Sequence, residues 1–236
     1  MKTILEHIKT SEKQNLAVLI DPDVFNLKKA SQFIAKVNKS IASHIFIGGS
    51  TVEAHATEAL ISAIKPLTSL PIVLFPGDVT QISNQADAIL FLSLVSGRNP
   101  EYLIGQHVKA VSKLRNSDLE IIPTGYILID GQKETATQKV TNTEPLKNTQ
   151  EIVDTAKAAQ LLGMQLVYLE AGSGAKHEVQ EAVIKAVKAE INIPLIVGGG
   201  IRSKFAIDKA FNAGADLVVI GTAFEEDESF FNKIKR

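Results

Sequence analysis

Two glycine-rich segments of the sequence have the residue types that bind phosphate. The segment 197–203 reads Val-Gly-Gly-Gly-Ile-Arg-Ser, and residues 221–223 read Gly-Thr-Ala; each follows an apolar run. Glycine lets backbone N–H groups approach an anion closely, which is the chemistry of a phosphate site. Glycines in these places also make simple tight turns, but two clusters after consecutive runs favour phosphate binding.

A carboxylate and a phenol two residues apart form a second candidate site. Along a strand, alternation with a period of two places Tyr168 and Glu170 on one face and Leu169 on the other. If that face is the inside of a barrel, Glu170 can act as a general base and Tyr168 as a hydrogen-bond donor. The structural alternative is a carboxylate that backbone groups or a lysine satisfy, because an unpaired charge on an apolar strand is costly.

Acidic and hydroxyl side chains end two earlier apolar runs. Asp21 and Asp23 flank a proline after the first run, and Ser50 and Thr51 follow two glycines after the second. Carboxylate oxygens suit Mg²⁺, which keeps waters and substrate phosphates among its ligands. These residues therefore predict a site for Mg²⁺ or a diphosphate, although an aspartate beside a proline also caps turns.

These segments all follow predicted strands, so the fold must bring the ends of the strands together. Apolar runs predict eight strands, at residues 16–20, 44–47, 71–75, 88–94, 120–128, 165–169, 194–197 and 216–220. Longer stretches of helical period predict helices at residues 28–38, 52–65, 101–114, 149–162, 178–189 and 204–213. The alternation favours an α/β fold, a closed (β/α)8 TIM-type barrel whose active site lies at the carboxyl ends of the strands. An open doubly wound sheet is the alternative.

Three details of the pattern refine this prediction. Only residues 76–87 separate the third and fourth strands, too few for two loops and a packing helix, so we expect the third helix to be missing or reduced. Residues 130–148 are a long polar stretch after the fifth strand, either a lid over the catalytic face or a mobile loop. Gly125, within the fifth strand, is expected to leave room in the barrel interior.

Composition bounds the class of protein. The chain has 236 residues, 45% of them hydrophobic, and a formal net charge of −1. This predicts one barrel domain over residues 1–236 and gives no electrostatic reason to expect nucleic acid or an anionic membrane as a partner. The absence of cysteine excludes thiolate metal sites, and the five histidines lack the spacing of zinc ligands. The polar N-terminus and the lack of a long apolar run predict a cytoplasmic protein without a membrane span.

Taken together, the motifs resemble those of the geranylgeranylglyceryl phosphate synthase family, which includes the bacterial heptaprenylglyceryl phosphate synthases. The matching segments run through nearly the whole chain in the family's order, at residues 20–23, 47–51, 75–77, 94–100, 124–126, 168–174, 197–201 and 221–223. Each segment is generic, but the tyrosine-leucine-glutamate segment combined with the triple glycine is specific. The family's barrel lacks a regular third helix, in agreement with the short unit after the third strand.

The resemblance implies a reaction. The 3-hydroxyl of sn-glycerol 1-phosphate attacks the first carbon of a polyprenyl diphosphate, with geranylgeranyl as the expected prenyl group. Diphosphate leaves with Mg²⁺, and the product is an ether-lipid precursor. The resemblance also implies a homo-oligomer, a dimer or a hexamer. Some members carry a lysine where this chain has Leu19, so phosphate recognition by a lysine at that position is not available here.

The resemblance also implies roles for particular residues. Asp21 and Ser50 hold Mg²⁺, and Glu170 takes the hydroxyl proton beside Tyr168. The residues implied in binding glycerol phosphate are Tyr168, Leu169, Glu170, Ala171, Gly172, Ser173, Gly174, Gly199, Gly200, Gly221 and Thr222. A prenyl tail needs an apolar groove, which the reduced third helix would leave between the helices after strands two and four.

Other functions remain open on the residues alone. A barrel with this phosphate site also suits a sugar-phosphate isomerase or lyase, which needs an acid and a base on opposite strands but neither a metal nor a prenyl groove. A non-catalytic phosphate-binding barrel is a third possibility. The sequence does not determine the length of the prenyl chain, because the far wall of the groove depends on side-chain packing.

Overall fold

The eight predicted strands close into a parallel barrel. The structure is a computed structural model that describes residues 3–11 and 13–235. Each strand pairs with the next, and β1 pairs with β8 to complete the ring. The strands are β1 (Asn15–Ile20), β2 (His44–Ile47), β3 (Ile72–Leu74), β4 (Ala88–Leu94), β5 (Glu120–Leu128), β6 (Leu166–Glu170), β7 (Leu195–Gly198) and β8 (Leu217–Ile220). This confirms the predicted fold class. Of the predicted domain, residues 1, 2, 12 and 236 lie outside the described residues.

Nine α-helices are described alongside these strands. They are α1 (Ile4–Thr10), α2 (Ala30–Asn38), α3 (Ala56–Ile64), α4 (Gln106–Leu114), α5 (Ala136–Thr141), α6 (Thr149–Leu161), α7 (Glu181–Glu190), α8 (Lys204–Asn212) and α9 (Thr222–Glu226). Short 3-10 helices lie at Leu27–Lys29, Lys65–Leu67, Val79–Gln81 and Glu228–Lys233, and a π-helix, Glu101–Gly105, precedes α4. The sequence did not predict α1, α5 or α9. Helix α3 begins four residues after the predicted start, because His55 has a left-handed φ of 68° that an α-helix excludes.

The unit after β3 is reduced, as predicted. Between β3 and β4 the described chain forms only the 3-10 helix Val79–Gln81, which Asp78 begins by accepting a hydrogen bond from the N–H of Thr80 at 2.6 Å. Between α3 and α4 the outer surface of the barrel is therefore covered only by this short helix and its flanking loops. An apolar groove lies in this place, at the carboxyl ends of β3 and β4.

Alternation along the strands creates two separate cores. One set of side chains packs between the barrel and its helices, and the other set, which includes Phe46, Leu90 and Tyr168, fills the barrel interior. Gly125 belongs to the outer side, so the expectation that it leaves room inside the barrel was wrong. A Cβ atom at Gly125 would lie 2.7 Å from the Cβ of Ala159, and its absence allows α6 to pack closely on β5.

Helix α1 closes the barrel at the amino ends of the strands. The N–H groups of Ile4 and Leu5 donate to the carboxylate of Glu120 at 2.5 and 3.0 Å, which fixes the start of the helix. The ring of His7 contacts that of His44, with 5.6 Å between centroids. His44 is fully buried; its Nδ1 lies 2.8 Å from the hydroxyl of Ser43, and its Nε2 has no partner among the described residues. Burial, with a smaller contribution from His7, lowers the pKa of His44 from 6.5 to about 3.

The low pKa of His44 predicts a loss of stability in acid. The unfolded chain binds one more proton than the folded chain between pH 6.5 and about 3. The contribution of neutral His44 is therefore fully present above about pH 6.5 and decreases as the pH falls, by roughly 1.4 kcal/mol per pH unit. Urea unfolding near pH 7.5 and near pH 5 measures this loss. In a His44→Leu variant the decrease should be smaller by about 2 kcal/mol; equal decreases would contradict the prediction.

Candidate active site

Two adjoining cavities open at the carboxyl ends of the strands. The first, here the polar cavity, has about 1020 Å³ of empty space including its mouth. The second, the apolar groove, has about 830 Å³ and extends outward along the reduced third unit. Gly49, Ser50, Phe75, Tyr126 and Thr137 line both, so the two spaces meet at these residues.

The glycine loops after β7 and β8 form one wall of the polar cavity. Gly199 and Gly200 have left-handed φ values of 84° and 71°. At Gly199, a Cβ atom would lie 2.5 Å from the Glu170 carboxylate and from the backbone nitrogen of Gly172, so only glycine fits. In the described part of the chain, the N–H groups of Gly199 and Gly200 have no protein acceptor. These donors are available to an anion in the cavity.

Hydroxyl and guanidinium groups complete this wall. The hydroxyls of Ser173 and Thr222 lie 3.4 Å apart, so they join the turn after β6 to the loop after β8. The guanidinium of Arg202 donates to the carbonyl oxygen of Ala175 at 2.7 Å and, at 3.4 Å, to that of Gly200. Because Arg202 also lines the cavity, it adds positive charge beside the free N–H groups.

Glu170 lies at the end of β6, buried against the floor of the polar cavity. Its Oε1 accepts a hydrogen bond from the N–H of Gly172 at 2.7 Å, and only 6% of the residue is exposed. Burial raises the pKa of Glu170 from 4.5 to about 7, although the Tyr168 hydroxyl and the Gly172 N–H both favour the charged form. A carboxyl group with this pKa exchanges a proton readily near neutral pH, which suits a general base.

Three aromatic rings pack at the junction of the two cavities. The ring of Phe75 stacks on that of Tyr168, with centroids 5.2 Å apart, and Tyr126 meets both rings edge-on at 5.8 and 5.4 Å. The hydroxyl of Tyr168 is buried and has no described partner with hydrogen-bond geometry, but the Glu170 carboxylate is close enough to affect its pKa. Burial, then the charge of Glu170, raises this pKa well above 10, so Tyr168 stays protonated and can donate.

Asp21 and Ser50 line the polar cavity at the ends of β1 and β2, and β1 pairs with β8 in the barrel. Oδ1 of Asp21 accepts a hydrogen bond from the N–H of Asp23 at 3.0 Å, so the turn-capping role is present. Its Oδ2 lies 2.6 Å from where a Cβ of Gly49 would be, beside the cavity. Burial raises the pKa of Asp21.

Asp21 and Ser50 suit an Mg²⁺ ion that takes most of its other ligands from substrate and water. The described residues contain no cluster of three or more His, Cys, Asp and Glu side chains placed to hold a metal. Mg²⁺ is commonly bound through one or two carboxylates together with waters and substrate phosphates. One carboxylate at Asp21 and the hydroxyl of Ser50 match that donor set.

The polar stretch 130–148 covers the junction as a folded lid. It contains α5, which begins with a capping box between Thr135 and Gln138. Thr137 of this helix hydrogen-bonds to Ser50, with 3.1 Å between their hydroxyl oxygens, and the Tyr102 hydroxyl donates to the carbonyl of Val140 at 3.2 Å. The stretch therefore lies where the lid interpretation places it, over the catalytic face. The sequence did not predict α5, because its residues have almost no apolar period.

Comparison with known proteins identifies the family. The family model described as PcrB matches residues 8–236. The geranylgeranylglyceryl phosphate synthase of Zunongwangia profunda is 54% identical over 233 residues, which cover 97% of this chain and 99% of that protein. The chain belongs to the PcrB family. The enzyme of the same name from Flavobacterium johnsoniae is 52% identical to this PcrB-family chain, and the match covers 97% of the chain and 95% of that protein.

A solved structure supports the same assignment. The (S)-3-O-geranylgeranylglyceryl phosphate synthase of Thermoplasma acidophilum, in complex with its substrate sn-glycerol-1-phosphate, superposes on this PcrB-family chain with a TM-score of 0.92. The two chains are 35% identical, and the match covers 99% of this chain and 96% of the other.

The structure brings most of the predicted site residues of this PcrB-family chain together. The polar cavity is lined by Asp21, Ser50, Tyr168, Glu170, Ser173, Gly199, Gly200, Gly221 and Thr222. Four residues of the implied binding segment do not line it, namely Leu169, Ala171, Gly172 and Gly174. Leu169 and Ala171 belong to the outer core, because alternation turns them away from the barrel axis. The lining also includes Phe75, Tyr126, Thr137 and Arg202, which the sequence analysis did not assign to the site; for Tyr126, the alternation of β5 was the available signal.

In this PcrB-family chain, Gly221 offers the cleanest test of the phosphate wall, the wall of the polar cavity that the glycine loops after β7 and β8 form. A Cβ atom there would meet only the side chain of Leu19, at 3.4 Å or more, so Gly221→Ala should fold normally. Its methyl group reduces the space beside the anion, and the KM for glycerol phosphate should rise about tenfold with little change in the KM for the prenyl substrate. Steady-state kinetics with each substrate varied in turn measures the two constants.

Gly200→Ala is the contrasting variant. At Gly200 a Cβ would lie 2.8 Å from the carbonyl group of His177, and φ is 71°, so this substitution should lower the thermal midpoint as well. An unchanged KM for glycerol phosphate in a folded Gly221→Ala enzyme would remove the loop after β8 from the phosphate site.

Proposed function

We propose that this enzyme transfers a geranylgeranyl group from its diphosphate to the 3-hydroxyl of sn-glycerol 1-phosphate and releases diphosphate. The observation that carries the proposal is the junction of an anion-binding cavity with an apolar groove at Phe75 and Tyr126. A phosphate-bearing acceptor fits the cavity, and a long hydrocarbon chain fits the groove. The names of the relatives support the same substrates.

The protein's own groups position and activate the acceptor. The N–H groups of Gly199 and Gly200 hold the phosphate, which leaves the far end of glycerol directed toward the floor of the cavity. Glu170, with its pKa raised to about 7, accepts the proton of the attacking hydroxyl, and Tyr168 orients that hydroxyl by donating a hydrogen bond. The new C–O bond forms as the bond between the first prenyl carbon and the diphosphate oxygen breaks.

The junction suits the carbon at which the bonds change. As the diphosphate leaves, the first prenyl carbon acquires positive charge, and aromatic faces stabilise a cation at close range. Phe75 and Tyr126 line the point where the groove enters the polar cavity. The lid, closed over the same point through Thr137, keeps water from competing with the glycerol hydroxyl.

We propose Mg²⁺ as the cofactor, held by Asp21 and Ser50 together with the diphosphate. When bound, it offsets the charge that develops on the leaving diphosphate. Asp21 and Ser50 end β1 and β2, whereas the glycine loops follow β7 and β8, so the diphosphate and the glycerol phosphate are assigned to different segments of the cavity rim.

The groove also decides between this function and the alternatives. A sugar-phosphate isomerase or lyase, or a simple phosphate-binding barrel, has no use for an apolar groove that joins the phosphate cavity. The groove is lined along its length by residues such as Ile89, Leu92 and Ala110. A substrate with a long hydrocarbon chain explains it.

An assay with radiolabelled glycerol 1-phosphate and prenyl diphosphates of 15, 20 and 35 carbons tests the assigned chain length. We expect the highest kcat/KM with the 20-carbon diphosphate. A clear preference for the 35-carbon substrate would replace geranylgeranyl by heptaprenyl and would leave the reaction type standing. No transfer with any of the three would contradict the proposed reaction.

We further propose that the enzyme acts in the cytoplasm as a homo-oligomer, a dimer or a hexamer. Among the described helices, none is long and apolar enough to cross a membrane. Helix α4 and the π-helix before it expose Ile104, Val108 and Val111, which lie on one face at helical spacing. Exposed apolar faces of this kind mark contacts between subunits. Light scattering of the purified protein gives the oligomer number, and a monomer mass would contradict this part.

A further inference from the structure

The first residues of the lid pack against the turn that follows β6. The carbonyl oxygen of Gly131 accepts a hydrogen bond from the N–H of Lys176 at 2.9 Å. At Gly172, a Cβ atom would lie 2.1 Å from the methyl carbon of Thr135, so the lid side chain occupies the space that this glycine leaves. The lid and the turn therefore form one packed unit beside the polar cavity.

Lys133 extends from the lid over this turn. Its Nζ lies 2.9 Å from the position where a Cβ of Gly174 would be. The preceding residue, Ser173, lines the polar cavity. Two other lid lysines are engaged with acids: Lys139 pairs with Glu134 at 3.1 Å, and Lys147 lies 3.9 Å from Asp130. Lys133 forms no ion pair or hydrogen bond with the residues that the structure describes.

The charge of the polar cavity calls for another cation. Its charged lining residues are Asp21, Glu170 and Arg202, two acids and one base. Arg202 already donates to the carbonyls of Ala175 and Gly200. The acceptor substrate brings a phosphate dianion, and the position of Leu19 provides no cation. A charged donor binds a desolvated dianion more strongly than a backbone N–H group does.

We propose that Lys133 is a substrate-binding residue that contacts the phosphate of the acceptor across the turn 172–174. The N–H groups of Ser173 and Gly174 have no acceptor among the described residues, so they can donate hydrogen bonds to the same phosphate. The turn follows β6, which pairs with β7, and its Ser173 hydroxyl lies 3.4 Å from that of Thr222 in the loop after β8. Asp21 and Ser50, in contrast, end β1 and β2. Lys133 therefore serves the glycerol phosphate rather than the diphosphate.

The inference rests on the proposed function, so its test measures binding and turnover separately. Calorimetry gives the Kd of the enzyme for sn-glycerol 1-phosphate alone, and kinetics gives both KM values. Lys133→Gln should raise the Kd and KM for glycerol phosphate about tenfold, the usual value of one charged hydrogen bond. The KM for the prenyl diphosphate should stay within about twofold. Lys133→Arg, which keeps the charge, should recover affinity to within about threefold of wild type.

Lys139→Gln is the matched control, because Lys139 lies on the same lid and 65% of its side chain is exposed. It removes the same charge from the lid at a site away from the turn, and it should leave both constants unchanged. An unchanged Kd for glycerol phosphate in Lys133→Gln would overturn the role of Lys133, and so would an equal rise of this Kd in Lys139→Gln. In either case, prenyl transfer by the wild type would leave the proposed function standing. Wild-type enzyme that binds glycerol phosphate through Lys133 but transfers no prenyl group would overturn the function alone.

Discussion

Glu170→Gln is expected to lower the turnover number by about a hundredfold or more, the usual contribution of a general base. The substitution preserves the shape of the side chain, and the amide oxygen can still accept the hydrogen bond that the N–H of Gly172 donates at 2.7 Å. Only the ability to take a proton is lost. The Kd for glycerol phosphate should change little, because the residues proposed to hold the phosphate, Gly199, Gly200 and Thr222, are unaltered.

The pH dependence gives this prediction a second measurement. The proposed base role requires ionised Glu170 in the free enzyme, so kcat/KM should rise with pH through about 7 and level off above it. In Glu170→Gln this rise should disappear. A single-turnover rate within a few fold of wild type would exclude Glu170 as the base. A loss of only about tenfold would point to orientation of the glycerol hydroxyl instead.

Stability should change in the direction opposite to activity. The pKa of Glu170 is about 7 in the folded chain and 4.5 in the unfolded chain, so the folded state binds the proton more tightly. The wild type is penalised as the pH rises from 4.5 through 7, by about 3 kcal/mol once the carboxyl is ionised. Glu170→Gln should therefore be at least as stable as wild type near pH 8, with the difference vanishing toward pH 4.5. A marked loss of stability near pH 8 would instead indicate a structural carboxylate.

Asp21→Asn is expected to abolish turnover at Mg²⁺ concentrations that saturate the wild type. The amide oxygen can still accept the hydrogen bond from the N–H of Asp23, so the turn after β1 is retained while the negative charge is lost. A neutral amide is a much weaker ligand for a hard cation than a carboxylate. Titrating Mg²⁺ against initial rate measures the change, and circular dichroism confirms that the variant is folded.

Asp23→Asn is the control for this experiment. Both carboxylate oxygens of Asp23 accept from the N–H of Glu53, at 3.0 and 3.2 Å, so this residue joins the loops after β1 and β2. Its substitution should lower the thermal midpoint and leave the Mg²⁺ dependence of the rate close to that of wild type. Near-normal activity of Asp21→Asn with Mg²⁺ would remove Asp21 from the metal site.

The barrel could be predicted from sequence because buried parallel strands read as continuous apolar runs. Most runs in this chain are followed by a stretch of helical period, and the observed strand ends differ from the predicted ones by a single residue at most. The reduced third unit could be predicted because the segment between the third and fourth strands, residues 76–87, is too short for a packing helix and two loops. Helix α5 could not be predicted in this way, because it is stabilised by a capping box and by contacts across the cavity rather than by an apolar face.

The chemistry of the site was predictable where it follows strand ends, and unpredictable where it depends on packing. Glu170 and the glycine loops are found by counting from an apolar run. To place Gly125 correctly, one must know which residues of β5 point outward, and the structure shows that Gly125 faces α6. The contact of Phe75 with Tyr126 and the approach of Lys133 to Gly174 both join segments far apart in the chain. The second also depends on how the lid folds.

Product identification with the purified wild type tests the proposed reaction most directly. The enzyme is incubated with radiolabelled sn-glycerol 1-phosphate, geranylgeranyl diphosphate and Mg²⁺, and both the organic extract and the released diphosphate are measured. We predict that label enters the organic phase as the geranylgeranyl ether, with one diphosphate released for each ether formed. Label that stays in the aqueous phase, or diphosphate released without ether, would contradict the proposal that the apolar groove delivers a prenyl group to a bound glycerol phosphate.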